Sequence, residues 1–257
     1  MLKNISTLVL LLVAINGIAA DFNVPTVSRC LADLEESNTN DSKVYNIYSD
    51  FYYEYDDKRD YAIAAIKKLA KTYSSQSSSC ASFTQPMNRS TVKCEKVAGS
   101  DVCIIPSDAG EFIVVKDYVD STNVVLVEYS DQYSEYPTIN SENDFENLWL
   151  PQPDLCYEGL LKPIYDSQAH ENNSELFKEF DDLRFLLARS NRDLVKRLAE
   201  SSYSCSYQTF AVATKEMECL QRDNKPTICG VRSTNGGYFV YITDADFDVH
   251  MVFNRWD

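Results

Sequence analysis

The sequence predicts an α+β protein made by tandem duplication of a disulfide-stapled domain, each copy with N-terminal helices packed on a four-stranded antiparallel sheet. Three observations predict it. The cysteine spacing repeats, the residues around the cysteines repeat, and within each copy the apolar period changes from three-to-four to two. Helices grouped before strands, rather than alternating with them, imply an antiparallel sheet.

The eight cysteines give the repeat. From Cys30 the steps to Cys80, Cys94 and Cys103 are 50, 14 and 9 residues; from Cys156 the steps to Cys205, Cys219 and Cys229 are 49, 14 and 10. Between them, Glu54/Asp57/Arg59 lies opposite Glu179/Asp182/Arg184, and Gly110–Val115 lies opposite Gly236–Tyr241. Val124–Asp131 lies opposite His250–Asp257, which sets His250 against Val124. A duplication places every bridge within its own copy. Cys30 sits near the start of the first helix and Cys80 past the end of the second, whereas Cys94 and Cys103 flank a short loop. The expected pairing is therefore Cys30–Cys80, Cys94–Cys103, Cys156–Cys205 and Cys219–Cys229.

The helices come first. Pro25-Thr26-Val27-Ser28 reads as a helix start, continued by Leu31 and Leu34; Pro153-Asp154 plays that part in the second copy. Val44, Tyr48, Phe51, Tyr55, Ala62, Ile66, Leu69 and Tyr73 then recur at helical spacing, with one double step across the Asp56–Asp60 charge run. Leu176, Phe180, Leu183, Leu187, Leu194 and Leu198 do the same in the second copy, with a break expected at Ser190-Asn191.

Alternation then predicts strands at 82–86, 91–97, 112–118 and 124–129, and at 207–214, 216–220, 238–243 and 248–253. This element order is similar to that of cystatin-like rolls. The glutamine-valine-glycine inhibitory loop of cystatins occurs in neither copy, so no family follows from the order.

The domain reading is a signal peptide over residues 1–20, a first copy over 21–131, a spacer over 132–155 and a second copy over 156–257. Lys3, an apolar run from Ile5 to Ile15 and the small residues Gly17, Ala19 and Ala20 follow one another in secretory order. The spacer carries five acidic residues, no Lys or Arg, and Pro137, Pro151 and Pro153, which forbid a continuous helix. The expected location is extracellular, an oxidising compartment in which disulfides persist. Asn40, Asn88 and Asn172 stand in glycosylation sequons.

Composition narrows the chemistry. A net charge of −15 argues against nucleic acid, whose phosphates need clustered Lys and Arg, and no later apolar run forms a membrane anchor. No cysteine pair has zinc-site spacing, and no cofactor motif is present. Asp244, Asp246 and Asp248 alternate, but the glycine and twelfth-position glutamate of a calcium loop are missing. His170 and His250 are the two histidines, and neither has a nucleophile motif beside it.

The Glu54/Asp57 and Glu179/Asp182 pairs, three apart on a helix, are the one candidate acid–base constellation. Tyr45, Tyr52 and Tyr53, in a tyrosine-rich run, are the candidate interaction surface. The expected function is a secreted, non-enzymatic binding protein for an unknown protein or small-molecule ligand. A carboxylate-dependent hydrolase, a carrier of an apolar ligand and an extracellular structural protein are the alternatives.

Overall fold

Ser100–Pro106, Gly110–Lys116 and Tyr238–Thr243 are buried at nearly every position rather than at alternate ones. A strand reads that way when both its faces are covered. The computed structural model of the chain describes residues 22–37, 44–48, 54–73, 80, 82–116, 121–129, 147–152, 169–172, 182–201, 209–233, 237–243 and 249–254. In it these runs are central strands of two five-stranded antiparallel sheets.

The first half of the chain runs β1 (Phe22–Pro25), α1 (Val27–Ser37), β2 (Val44–Tyr48), α2 (Lys58–Tyr73) and β3 (Thr84–Met87). It continues through β4 (Lys93–Val97), β5 (Ser100–Pro106), β6 (Gly110–Lys116) and β7 (Ser121–Glu128). The second half runs β8 (Asn147–Pro151), β9 (Ala169–Asn172), α3 (Leu183–Ser201), β10 (Thr209–Ala213), β11 (Glu218–Leu220), β12 (Ile228–Arg232), β13 (Tyr238–Thr243) and β14 (Val249–Asn254). One sheet has the order β2-β7-β6-β5-β4 and the other β9-β14-β13-β12-β11; β1 pairs with β3, and β8 with β10. The chain is thus α+β, with antiparallel sheets and disulfides.

Three cores follow from the two faces of each sheet. Val27, Cys30 and Leu31 of α1 and Ala62, Ala65, Ile66 and Leu69 of α2 share one with Ile105, Phe112, Val114, Val124 and Leu126. Leu183, Leu186 and Leu187 of α3 share a second with Leu148, Leu150, Phe239, Tyr241 and Met251. The third lies between the sheets: Val97, Val102, Ile104, Ile113, Val115, Val125 and Val127 of one meet Ile228, Val240, Ile242 and Val252 of the other.

Several sequence expectations change. Val44–Tyr48 is not the first turn of a long helix. It is strand β2, paired with β7 from Val44↔Val125 to Tyr48↔Ser121; it and β5, at Ser100–Pro106 where no strand is expected, make the sheet five-stranded, while the strand expected at 82–86 overlaps β3 and pairs with β1 outside that sheet. The aromatic and β-branched residues of β2 suit a strand, and the helical spacing across it is a coincidence of step size. Helix α2 begins only at Lys58. Helix α3 runs unbroken through Ser190-Asn191, because Asn191 is spent on tertiary bonds: its Nδ2 donates to the Trp149 carbonyl and its Oδ1 accepts from Tyr241 Oη at 3.2 Å.

Asn147–Pro151, inside the expected solvated spacer, is strand β8, with Leu148 and Leu150 buried. Phe22, Val24 and Pro25 precede Cys30 at the same distances as Leu148, Leu150 and Pro151 precede Cys156, a signal available in the sequence. The signal segment expected at residues 1–20 lies outside the described residues.

The strand registers also displace two alignments by one residue, setting Gly110–Val115 opposite Gly237–Ile242. Phe112 pairs with Leu126 and Val114 with Val124, while Phe239 pairs with Phe253 and Tyr241 with Met251. On that register His250 corresponds to Asn123, not Val124. A slip of one residue turns a side chain to the opposite face, so His250 belongs to the face of Val252, toward the other sheet. Both Asn123 and His250 are buried.

Three bridges are described. Cys30–Cys80 ties α1 to the segment after α2, Cys94–Cys103 joins β4 to β5, and Cys219–Cys229 joins β11 to β12. Cys156 and Cys205 lie outside the described residues.

Candidate functional site

The carboxylate constellation resolves into helix caps. The first backbone N–H groups of a helix lack intrahelical acceptors. Asp57 precedes α2 and accepts from the Arg59 N–H at 2.8 Å; Asp182 precedes α3 and accepts from the Arg184 N–H at the same distance. The Arg59 N–H bond is the main reason the Asp57 carboxyl lies below its ordinary value; burial opposes it, and the bond to Arg89 with the Arg89 and Arg59 charges adds to the lowering. Glu54 is exposed ahead of the helix, not stacked beside Asp57 on it, and Glu179 lies outside the described residues. The repeated Asp-x-Arg unit is therefore read as a cap, which corrects the side-by-side acid–base geometry.

Arg89, the middle residue of the Asn88 sequon, reaches both Asp57 and Asp60 at 2.6 Å. Its guanidinium is held well above its ordinary value, first by the bond to Asp60 and then by that to Asp57. Asn88 itself is half-buried, with its Oδ1 buried, and Asn172 ends strand β9 at a sheet edge. Asn40 lies outside the described residues, as do Tyr52 and Tyr53. Tyr45 lies in β2 opposite Val124.

The surface feature next to that tyrosine-rich segment is a groove along α2. Tyr61, Ala62, Ala65, Ile66 and Leu69 are buried against the sheet. The alternative stripe, at helical steps of three and four, is Ala64, Lys67, Lys68, Lys71 and Thr72. With Tyr55, which is 36% exposed, this stripe lines a groove of about 530 Å³. Three lysines thus converge within two turns of helix, in a chain of net charge −15. Lysine near a helix C-terminus is favourable to the helix dipole, but Lys67 and Lys71 are a like-charge pair four apart, which opposes the helix slightly.

A second basic group surrounds one carboxylate. Lys58 Nζ pairs with the buried Asp101, and Lys96 Nζ lies 3.5 Å from the same oxygen. Lys116 stands over the Tyr61 ring at 4.7 Å, and burial lowers its pKa against the attraction of Asp101.

The two halves touch through polar as well as apolar groups. Glu111 of β6, with 0% side-chain exposure, accepts from Arg222 Nη1 at 3.0 Å and from Tyr129 Oη at 3.1 Å, and Arg222 Nη2 also bonds it. Burial, and then the Glu111 charge, push the Tyr129 phenol well above its ordinary value. At another contact Ala98 N–H donates to Glu218 Oε2 at 2.6 Å, and Gly99 stands so close to the Tyr238 ring that a Cβ would fall 2.5 Å from its Cε1.

Among the described residues no group of three or more His, Cys, Asp or Glu could hold a metal ion, and no helix is long and apolar enough to cross a membrane. Asp244, Asp246 and Asp248 lie outside the described residues, and His170 lies in β9 opposite Met251. No protein-family model, curated protein or solved structure matches the chain.

Proposed function

We propose that the chain is a secreted, glycosylated, non-enzymatic binding protein whose ligand is an acidic polypeptide segment, received in the Tyr55–α2 groove. The observation that carries this reading is the convergence of Lys67, Lys68 and Lys71 with an exposed tyrosine on one groove. Charges farther away than about 8 Å are screened at physiological salt, so acidic residues remote from the groove oppose an acidic ligand little. Tyr55 adds an apolar ring with a hydroxyl, the residue type that anchors interfaces. The cap role of Asp57 and Asp182 removes the main motive for the hydrolase alternative. Disulfides are compatible with an extracellular address.

We also infer that the two halves arose by duplication. The repeated cysteine spacing, the repeated caps and the matching orders of the two sheets support it. On that reading the second copy begins near Asn147, and the acidic spacer is shorter than residues 132–155.

The test uses the full secreted protein and a labelled oligo-glutamate peptide, followed by fluorescence anisotropy. Binding is expected, with an oligo-lysine control unbound. Lys67→Glu with Lys71→Glu should weaken it at least about tenfold, and Tyr55→Ala should weaken it as well. Equal affinity of the lysine variant and the parent would remove the groove from the argument.

A further inference from the structure

We infer that Cys94–Cys103 and Cys219–Cys229 form a dithiol-reducible latch at one edge of the molecule, whereas Cys30–Cys80 is a permanent staple. Three features separate the two kinds of bridge. Cys94 is directly opposite Cys103 in the β4–β5 ladder, and Cys219 is directly opposite Cys229 in the β11–β12 ladder. Each bridge therefore joins a strand at the sheet edge, among the described residues, to the strand it pairs with. Cys94 and Cys219, on the edge strands, are only half-buried, whereas Cys30 and Cys80 are both fully buried.

The closed loops differ as well. Cys30–Cys80 spans 50 residues, and the other two span 9 and 10. A bridge constrains the unfolded chain more as its loop lengthens, so the short bridges contribute least to folding. Their strands are also held by ladder hydrogen bonds and by packing, which remain when the sulfurs part.

The position of the two bridges gives their opening a consequence. The β4–β5 turn is one of the elements that dock on the second half: Ala98 bonds Glu218, and Val97 and Ala98 press against Gly230. Glu218 and Gly230 are themselves neighbours of Cys219 and Cys229. Both bridges thus brace the same clasp, one from each side.

The step is thiol–disulfide exchange with a dithiol reductant. A reductant thiolate attacks Sγ of the half-exposed Cys94; the S–S bond breaks, and Cys103 leaves as a thiolate that takes up a proton. The reductant's second thiol then attacks the mixed disulfide and releases Cys94, and the reductant departs as a disulfide, two electrons having passed to the protein. The Lys58 carbonyl oxygen lies 3.5 Å from Cys103 Sγ, placed to accept a hydrogen bond from the new thiol. Cys219–Cys229 opens in the same way, with Cys219 attacked.

The test treats the native full-length protein with dithiothreitol, quenches with one alkylating reagent, labels the remaining cysteines with a second, and maps the peptides. Cys94–Cys103 and Cys219–Cys229 are expected to open at least about tenfold faster than Cys30–Cys80, with the far-UV circular dichroism unchanged. Hydrogen exchange should rise in β4 and β11 and stay slow in β6 and β13. The Cys94→Ser/Cys103→Ser variant should fold and show the raised exchange in β4 without reductant; if it fails to fold, the short bridge is needed for folding and the latch is refuted. Equal opening rates for all three bridges, or opening that comes only with loss of the circular-dichroism signal, would also overturn it.

Discussion

Asp108 illustrates how one side chain can start a helix from a distance. It lies in the β5–β6 turn and accepts from the Val27 N–H at 2.7 Å and from the Ser28 N–H and hydroxyl, so it caps α1 across 81 residues of chain. Burial works to raise its pKa, but the Ser28 hydroxyl and the backbone N–H groups of Ala109, Val27 and Ser28 outweigh it and hold the carboxyl below its ordinary value. A folded pKa below the unfolded one gives stability that is present above the unfolded pKa, about 3.9, and lost as pH falls through the folded value. Asp108→Ala is expected to cost about 1 kcal/mol at pH 7. The gap between parent and variant should narrow as pH falls below about 4 and go on narrowing as it falls through the folded value, as read by urea unfolding. An undiminished gap in acid would mean that the carboxylate charge is not what holds the helix. No local pattern announces this cap, because its donor and acceptor segments are far apart in sequence.

At the scale of the element, the β4–β5 turn makes the sharper demand. It is a two-residue hairpin turn with both central residues at positive φ, Ala98 at 52° and Gly99 at 104°. Gly99 answers two requirements at once, the backbone conformation and the approach to Tyr238. Gly99→Ala should therefore destabilise the protein by about 1–3 kcal/mol, and thermal unfolding measures it; a neutral result would mean that the Tyr238 ring moves aside freely.

The same hairpin shows what the sequence made legible. Strand β4 is legible because its exposed positions keep the apolar–polar contrast of an edge. Strand β5 shows no alternation because the second sheet covers its other face. Strand β2 reads as helix because Val44 and Tyr48 keep step with the helix that follows. The capping role of Asp57 was hidden for another reason. Its spacing from Glu54 fits a helix face equally well, and only the start of α2 at Lys58 decides between the readings. The lysine stripe at Lys67, Lys68 and Lys71 is readable from its helical spacing alone.

Across the whole molecule, the inter-sheet layer determines how the halves behave. The three described disulfides each stay within one half, which suggests two domains able to fold alone. The third core argues otherwise: Ile113, Val115, Val125 and Val127 would face water if the first half stood by itself, as would Val240, Ile242 and Val252 in the second. An exposed apolar face of that extent is not a stable surface for an isolated domain. The Glu111–Arg222 pair adds a second dependence. Removing the buried carboxylate strands the Arg222 cation, so Glu111→Ala should cost about 3–5 kcal/mol. In a double-mutant cycle with Arg222→Ala, the loss should be far from additive.

The decisive measurement uses Ile113→Ala, which deletes a fully buried side chain from the first half's side of the layer. A cost of about 2–5 kcal/mol is expected. If the halves are one cooperative unit, hydrogen-exchange protection in β6 and β13 falls by the same factor, because both strands open only through global unfolding. Calorimetry should then show a single transition moved to lower temperature. Protection lost in β6 alone, with β13 unchanged and a second transition left in place, would instead mean that each sheet survives without the other.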